Sequence, residues 1–528
     1  MREQRRLLLL YFGAALALFY SAYYYVVRGG RLSLSRYSVD RYFQQSPTPF
    51  VHRCHVYYDS AGSASPRQIA VAVAEKLSSG DVPSEARRIE DYKYFRHLSD
   101  EGTVTESLND LLDLSSPFSV LLRHNPNPAF EGDFEVVVNG GKSLVFSLAD
   151  TAVNSPHVAD KIHDVVRGLF FKYGTMPSTH MTPVLDLNFL LTSDDRKVSW
   201  NVRDDIVTPY FHAIVNAMSL FYDVSLHSRV ISGANLTGTM KLREERLVDL
   251  QEQEVEMFHA LERVTSLEVA TRDSSIYRHS IAFLCHLPHR ALRFYDRALR
   301  RETDSVMIKG LGVVSFLDPK SDDGGAYRLT PGDIAALMGS WVTHIRKLHN
   351  LPSSLTETLA DALQNEDVVT VVEDGHYSVV SPHLTFGVRM LPPGVVAFYG
   401  FEVTKIAASL YRLYLKGAMD NLQKVVKQLS RISFMTRVSE AAAHNAKECH
   451  AAISCVFSGR RDGKPLSNVE ALALARTAFK QSLEAMGDDE TYAKNVVSVE
   501  HGFAALLCDT FSSVFPMAVN TIKHVLNK

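Results

Sequence analysis

An uncharged run of 21 residues, Leu7–Val27, constrains this 528-residue chain more than any other feature. As an α-helix it would extend roughly 30 Å, the thickness of a bilayer's hydrocarbon core. The run ends in Tyr23, Tyr24, Tyr25, Val26 and Val27. That cluster suits the aromatic belt at a membrane surface and lacks the small-x-small pattern of a signal-peptide cleavage site. The run therefore reads as an uncleaved anchor. Arg2, Arg5 and Arg6 before it favour a cytosolic N-terminus, but Arg28, Arg31, Arg36 and Arg41 follow it. Positive charge alone does not fix the orientation.

Near the other end, Phe503–Ile522 is a second apolar stretch of membrane-spanning length. Asp509, Pro516 and Asn520 interrupt it. Within a bilayer such groups must face protein neighbours, and a proline frees a carbonyl that needs a new donor. Lys523, His524 and Lys528 follow, as at a cytosolic end. The residues support a second span and a buried helix closing a soluble domain equally.

Between these segments the chain is globular in composition, with 46% hydrophobic and 22% charged residues. With a net charge of -3, no overall basic footprint argues for a nucleic-acid binder. Up to about residue 396 strands and helices mix. Phe50–Tyr58 reads as a strand, and Phe134–Leu148 as two strands turning at Asn139-Gly140-Gly141. Helices are expected after Ser65-Pro66, near His157–Tyr173 and after Trp200. Thr182–Thr192, Ser280–His286 and Gly312–Phe316 read as apolar strands. Thr330, Pro331 and Asp333 open a helix with Ile334, Leu337, Trp341, Ile345 and Leu348 on one face.

From about Gly400 the pattern turns helical: Phe401–Ile432, Phe434–Phe457, and a third helix opened by the capping box Ser467-Asn468-Val469-Glu470. Ala441, Ala442, Ala446 and Ala452 would allow these helices to approach closely.

No motif of known chemistry stands out. H-E-x-x-H, G-x-S-x-G, Walker A and D-x-D are all missing, and Gly310-Leu311-Gly312 lacks the third glycine of a dinucleotide fingerprint. His52, Cys54 and His55 cluster, but on a strand His55 faces away from the other two, so one metal ion cannot take all three. Cys449 and His450 are adjacent on a helix and point about 100° apart, which does not make a nucleophile–base pair. Asp194-Asp195, Asp204-Asp205 and Asp322-Asp323 sit where turns and helix starts favour acids. The five cysteines are Cys54, Cys285, Cys449, Cys455 and Cys508. They are too scattered for a disulfide framework, leaving buried free thiols or one Cys54–Cys285 pair. No catalytic residue, metal or cofactor is expected. Asn235-Leu236-Thr237 is an N-glycosylation sequon, fitting a lumenal body.

The order of segments resembles the PIG-S family, a subunit of the GPI transamidase. Leu185–Leu220 (LDLNFLLTSDDRKVSWNVRDDIVTPYFHAIVNAMSL) resembles the family's strand, polar turn, tryptophan and following helix. Phe221–Val230 is similar to its next strand, and His279–Pro288 to its apolar strand ending near a proline. Phe401–Ile432 resembles its long helix, and Phe515–Val519 the proline-containing start of its last membrane helix. Val27–Tyr37 lacks the family's Trp and paired Thr, and Asn520 stands where proline is usual. These departures mark a divergent member, such as a protozoan equivalent.

The resemblance implies an α/β lumenal body with a C-terminal helical subdomain, flanked by N- and C-terminal transmembrane helices. Its parts would be a cytosolic N-terminus (1–6), a first span (7–27), a linker (28–48), the α/β domain (49–396), the helical subdomain (397–500), a second span (502–522) and a cytosolic tail (523–528). It implies a non-catalytic subunit in the endoplasmic-reticulum membrane. A caspase-like PIG-K subunit would carry the Cys-His chemistry, with PIG-T, PIG-U and a GAA-type subunit as further partners. Membrane lipid, including GPI, would meet the chain near its membrane segments. Two other readings fit parts of the pattern: a type II membrane-anchored glycosyltransferase or hydrolase of the secretory pathway, and a tether with a cytosolic body.

Overall fold

The computed structural model describes residues 39–45, 50, 52–59, 65–79, 82–88, 113–125, 132–138, 140–172, 182–194, 197–234, 236, 240, 242–243, 246–249, 278–296, 300–308, 312–318, 327–352, 357, 359–360, 363, 367–373, 375–390, 398–431, 439–487 and 523. The described residues of Phe50–Leu413 and Leu466–Ala473 form one unit, and those of Met1–Pro49, Tyr414–Pro465 and Leu474–Lys528 a second.

In the first unit the chain begins with β1 (Cys54–Tyr58), α1 (Ser65–Ser79), β2 (Ser84–Arg88), β3 (Phe118–His124), the pair β4 (Phe134–Val138) and β5 (Ser143–Leu148), and α2 (Val158–Val166). Next come β6 (Val184–Ser193), α3 (His212–Phe221), β7 (Asp223–Ser232), β8 (Arg278–Leu287), β9 (Ser305–Ile308), β10 (Gly312–Phe316) and α4 (Pro331–Leu348). Three antiparallel strands follow, β11 (Val368–Glu373), β12 (His376–Val380) and β13 (Thr385–Met390).

Two large sheets result. The first has eight strands in the order β11-β12-β13-β4-β5-β3-β1-β2. Strand alternation points Cys54, Val56, Val120, Leu144 and Phe146 to one face. There they meet Ile69, Val73 and Leu77 of α1 and Ile162 and Val165 of α2, each helix presenting residues three or four apart. The expected turn at Gly140 and Gly141 joins β4 to β5, whose register pairs Phe134 with Leu148 and Val138 with Leu144.

The second sheet has five strands in the order β9-β10-β8-β6-β7. Strands β10, β8, β6 and β7 are parallel, and β9 runs antiparallel at one edge. Leu190, Leu284, Val314 and Phe316 pack on one face with Val248 and Phe294 of a small four-stranded sheet. The other face carries Phe189 and Phe283, whose rings lie 5.5 and 5.0 Å from that of buried Trp341 on α4. Gly312 is required at the start of β10: its φ is +139°, and a Cβ there would collide with the backbone of Ala282.

Local chemistry explains the helix starts. Thr330 and Asp333 form a reciprocal capping box, with Thr330 N donating to Asp333 at 2.9 Å and Asp333 N donating to Thr330 Oγ1 at 3.4 Å. The helix expected after Trp200 opens with wide π-type turns over Val202–Phe211 before α3. Pro209 lies inside them and cannot donate the ordinary helical hydrogen bond.

The long helix α5 (Gly400–Arg431) begins in the first unit and continues into the second. The second unit also holds α6 (Glu440–Ser458), a two-stranded hairpin of β14 (Arg460–Arg461) and β15 (Lys464–Pro465), and α7 (Asn468–Met486) from Leu474 onward. Within it the Tyr414 and Phe479 rings stack at 5.5 Å, and Asn421 Nδ2 donates to Ser482 Oγ at 3.2 Å. The described part of the helix expected from Phe434 begins at Glu440, where Ser439 caps it by accepting from Ala442 N at 3.0 Å. Ala442, Ala446 and Ala452 are buried as expected, whereas Ala441 is exposed and Ala443 is buried in its stead.

The expectation of flanking transmembrane helices is corrected. Among the described residues no helix is long and apolar enough to cross a membrane, and the architecture is a mixed α/β body. The 32-residue α5 is long enough, but Glu402, Lys405, Arg412, Lys416, Asp420, Lys424 and Lys427 recur along it. The proposed spans, with Leu7, Val27, Phe503, Asp509, Pro516 and Ile522, lie outside the described residues, as does Asn235.

Candidate functional site: a polar pocket beside the ends of parallel strands

In the five-stranded sheet the chain leaves β6 toward β7 on one side, while β8 lies on the other. A reversal of this kind opens a crevice at the carboxyl ends of the strands, the usual ligand position in open α/β sheets. Here the crevice is filled by the chain's own side chains. Register places Thr192 opposite His286. Thr192 Oγ1 lies 2.9 Å from His286 Nδ1, and His286 Nε2 lies 3.4 Å from Asp194 Oδ1. Asp194 accepts from His289 N at 3.4 Å, whereas His286 Nε2 is buried without a hydrogen-bond partner. The order Thr–His–Asp mimics a nucleophile, base and orienting acid. Thr192 and His286 are each 0% exposed, so the hydroxyl is closed to substrate and the chain acts as a strap between strand ends.

Beside this strap lies a pocket of about 210 Å³ at the end of β10 and the start of α4. Its walls include Arg293, Asp304, Ser305, Ser315, Asp318 and Asp333. Alternation along β10 turns Ser315 away from Val314 and Phe316 and toward α4, and its Oγ is buried without a hydrogen-bond partner. Ser305, opposite Ser315 in register, meets Ser340 of α4 through its hydroxyl. Arg293 grips Asp318 with two bonds of 2.8 and 2.9 Å and lies 2.6 Å from Asp304. Those bonds to Asp318, aided by the charge of Asp304, hold the guanidinium's pKa above its ordinary value. Asp333 accepts from Thr330 and, at 3.1 Å, from Tyr327 OH. Burial first, then the Asp333 charge, pushes the Tyr327 hydroxyl upward.

Three carboxylates around one guanidinium make the pocket acidic, and its hydroxyls offer both donors and acceptors. Such a site suits a small polar molecule and disfavours a free anion. No sequence motif announces it. Arg293, Ser315 and Asp333 are brought together only by strand order and by the docking of α4.

The residues singled out in sequence stay apart. Cys54 is buried on the helix-covered face and its thiol is pushed up to about 12 by burial, while His55 faces the other way, beside Tyr57 OH at 3.3 Å. Burial first, then the charges of Lys142 and Arg412, push His52 down to about 4. Among the described residues no group of three or more His, Cys, Asp or Glu could hold a metal ion. Cys54, Cys285, Cys449 and Cys455 are free thiols, so Cys54 and Cys285 form no disulfide. Cys449 is buried, whereas His450 is half-buried, its ring 6.1 Å from that of Tyr42. Asp204 and Asp205 serve the helix start: Asn201 donates to each, at 2.6 and 2.8 Å. Asp195, Gly310, Asp322, Asp323 and Cys508 lie outside the described residues.

No protein-family model matches the chain, and no curated protein matches it.

Proposed function

We propose that this chain is a non-catalytic structural subunit of a GPI transamidase complex, supporting the attachment of GPI anchors to proteins in the endoplasmic reticulum. The observation that carries the reading is where the resembling segments fall. Leu185–Leu220, Phe221–Val230 and His279–Pro288 supply β6, its crossover helix, β7 and β8. These are three adjacent strands and their connection, one continuous piece of fold. In this reading the body faces the lumen and a caspase-like PIG-K subunit performs the Cys-His chemistry. PIG-T, PIG-U and a GAA-type subunit are the neighbours it braces.

Exposed sheet edges support an assembly role. β11 pairs only with β12 among the described residues, and Val368, Val371 and Val372 on it are 61%, 55% and 59% exposed. An edge of unpaired backbone groups flanked by bare valines is a natural docking strand.

Depletion of the chain from cells tests the proposal. Precursors bearing uncleaved C-terminal signals should accumulate while the complete GPI lipid remains present. Normal anchoring would contradict the reading. Loss of the lipid itself would place the chain among the enzymes that build it, the secretory glycosyltransferase or hydrolase reading.

A further inference from the structure

The connection between α6 and α7 is a cationic fork. Gly459, with φ +65°, ends α6 in the left-handed conformation, and Ser458 Oγ accepts from Arg460 N at 3.4 Å. The chain then forms a minimal hairpin in which Arg460 pairs with Pro465 and Arg461 with Lys464. Asp462 and Gly463 take φ values of 52° and 81°. Two consecutive positive φ values are the signature of a type I′ turn, whose twist matches that of the paired strands.

The charges on it are unusual. Arg460, Arg461 and Lys464 are all exposed, and no acid among the described residues forms an ion pair with any of them. Arg461 and Lys464 stand directly opposite each other on one face, a like-charge pair that weakens a two-stranded ladder. The hairpin holds one acid, Asp462, against three cations, in a chain whose net charge is -3. A local basic excess held on a tight turn, at a cost to the ladder itself, is relieved when an anionic group bridges Arg461 and Lys464.

We infer that the Arg460–Lys464 hairpin docks on the phosphate-bearing surface of an anionic lipid membrane. The hairpin carries no aromatic side chain on which bases could stack, as single-stranded nucleic acid would need. It also lacks the apolar and aromatic residues that centre a protein–protein interface. What remains is exposed positive charge, which gains most from a dense sheet of negative headgroups. This inference goes beyond the assembly reading and does not depend on it. It also requires no membrane-crossing helix.

The test is flotation of the purified full chain with phosphatidylcholine vesicles containing or lacking phosphatidylserine. Each cation near an anionic surface strengthens binding about fivefold, so Arg461→Ser and Lys464→Ser together should weaken it roughly twentyfold. Binding to pure phosphatidylcholine should not change, and the wild-type preference for phosphatidylserine should vanish at high salt. Thermal unfolding of the variant checks that the exposed hairpin was altered without loss of fold, and the salt response of the wild type is independent of any variant. Equal binding of variant and wild type to phosphatidylserine vesicles would overturn the inference. So would a salt-insensitive preference. Displacement by inorganic phosphate at matched ionic strength would overturn it in favour of a free phosphate ligand. Hairpin-dependent binding of polyglutamate without vesicle binding would overturn it in favour of an acidic protein.

Discussion

Arg346 on α4 and Glu402 in the first turn of α5 form a two-pronged ion pair, with bonds of 2.8 and 2.7 Å and side chains only 9% and 2% exposed. Glu402 also accepts from Tyr399 N at 3.0 Å, and Arg346 Nε donates to the carbonyl of Pro352 at 3.0 Å. One carboxylate therefore caps a helix and anchors another. Removing either partner leaves a buried charge uncompensated, which typically costs about 3–5 kcal/mol. Glu402→Ala should destabilise the chain by that amount in urea unfolding, whereas the paired change Arg346→Met with Glu402→Leu should cost far less. Equal losses in both would show that the pair is more than self-compensating.

His349 gives the fold a pH dependence. Its ring is buried, lies 3.1 Å from Tyr222 OH and 2.9 Å from the carbonyl of Ile345, and burial pushes its pKa from 6.5 down to about 4. A lowered pKa means the fold binds this proton less well than the unfolded chain. The contribution to stability is complete above 6.5 and is lost as the pH falls toward 4. A shift of this size corresponds to a loss on the order of 3 kcal/mol across that window. Denaturant unfolding at several pH values should show the decline, and His349→Gln should flatten it. An unchanged slope in the variant would assign the decline to other groups.

Gly417 lies inside α5, where alanine would normally add about 1 kcal/mol of helix stability. A Cβ at this position would approach Phe479 Cε2 to 2.5 Å. Gly417→Ala should therefore destabilise the helical unit by about 1–3 kcal/mol through overpacking. Gly417→Ala combined with Phe479→Leu should recover part of that loss. A stabilising effect of Gly417→Ala alone would mean the two helices have room to separate.

The exposed valines of β11 predict a separation of stability from assembly. Val368→Lys with Val372→Lys should leave unfolding free energy within about 0.5 kcal/mol, because both side chains meet solvent. The same change should lower recovery of partner proteins from cells, since lysine blunts a docking edge. Full recovery would move the interface elsewhere on the body.

Much of the framework was legible where one local signal dominated. The apolar runs around Leu187 and Phe283 became β6 and β8, and Thr330-Pro331 with Asp333 opened α4 at the expected residue. β2 escaped because Ser84–Arg88 is a polar edge strand that turns only Ala86 toward the core. Ser439 escaped as a cap because the apolar residues Phe434, Met435 and Val438 before it read as part of the same helix as the alanines after it. The strap and the pocket escaped for a different reason. Thr192 meets His286 through strand register across 94 positions, and Ser315 meets α4 through packing, neither of which a local pattern encodes. The membrane-flanked architecture was expected from hydropathy and resemblance, and the described helices do not supply it.

The central claim is membership of a transamidase assembly, and partner recovery tests it most directly. The tagged chain, extracted from cells in mild detergent, is purified and its companions identified by mass spectrometry. The account predicts a caspase-like subunit in near-equal amount, together with PIG-T-, PIG-U- and GAA-type partners. Recovery of the chain alone would contradict the account and turn attention to the pocket at Arg293 and Ser315 as the site of an activity of its own.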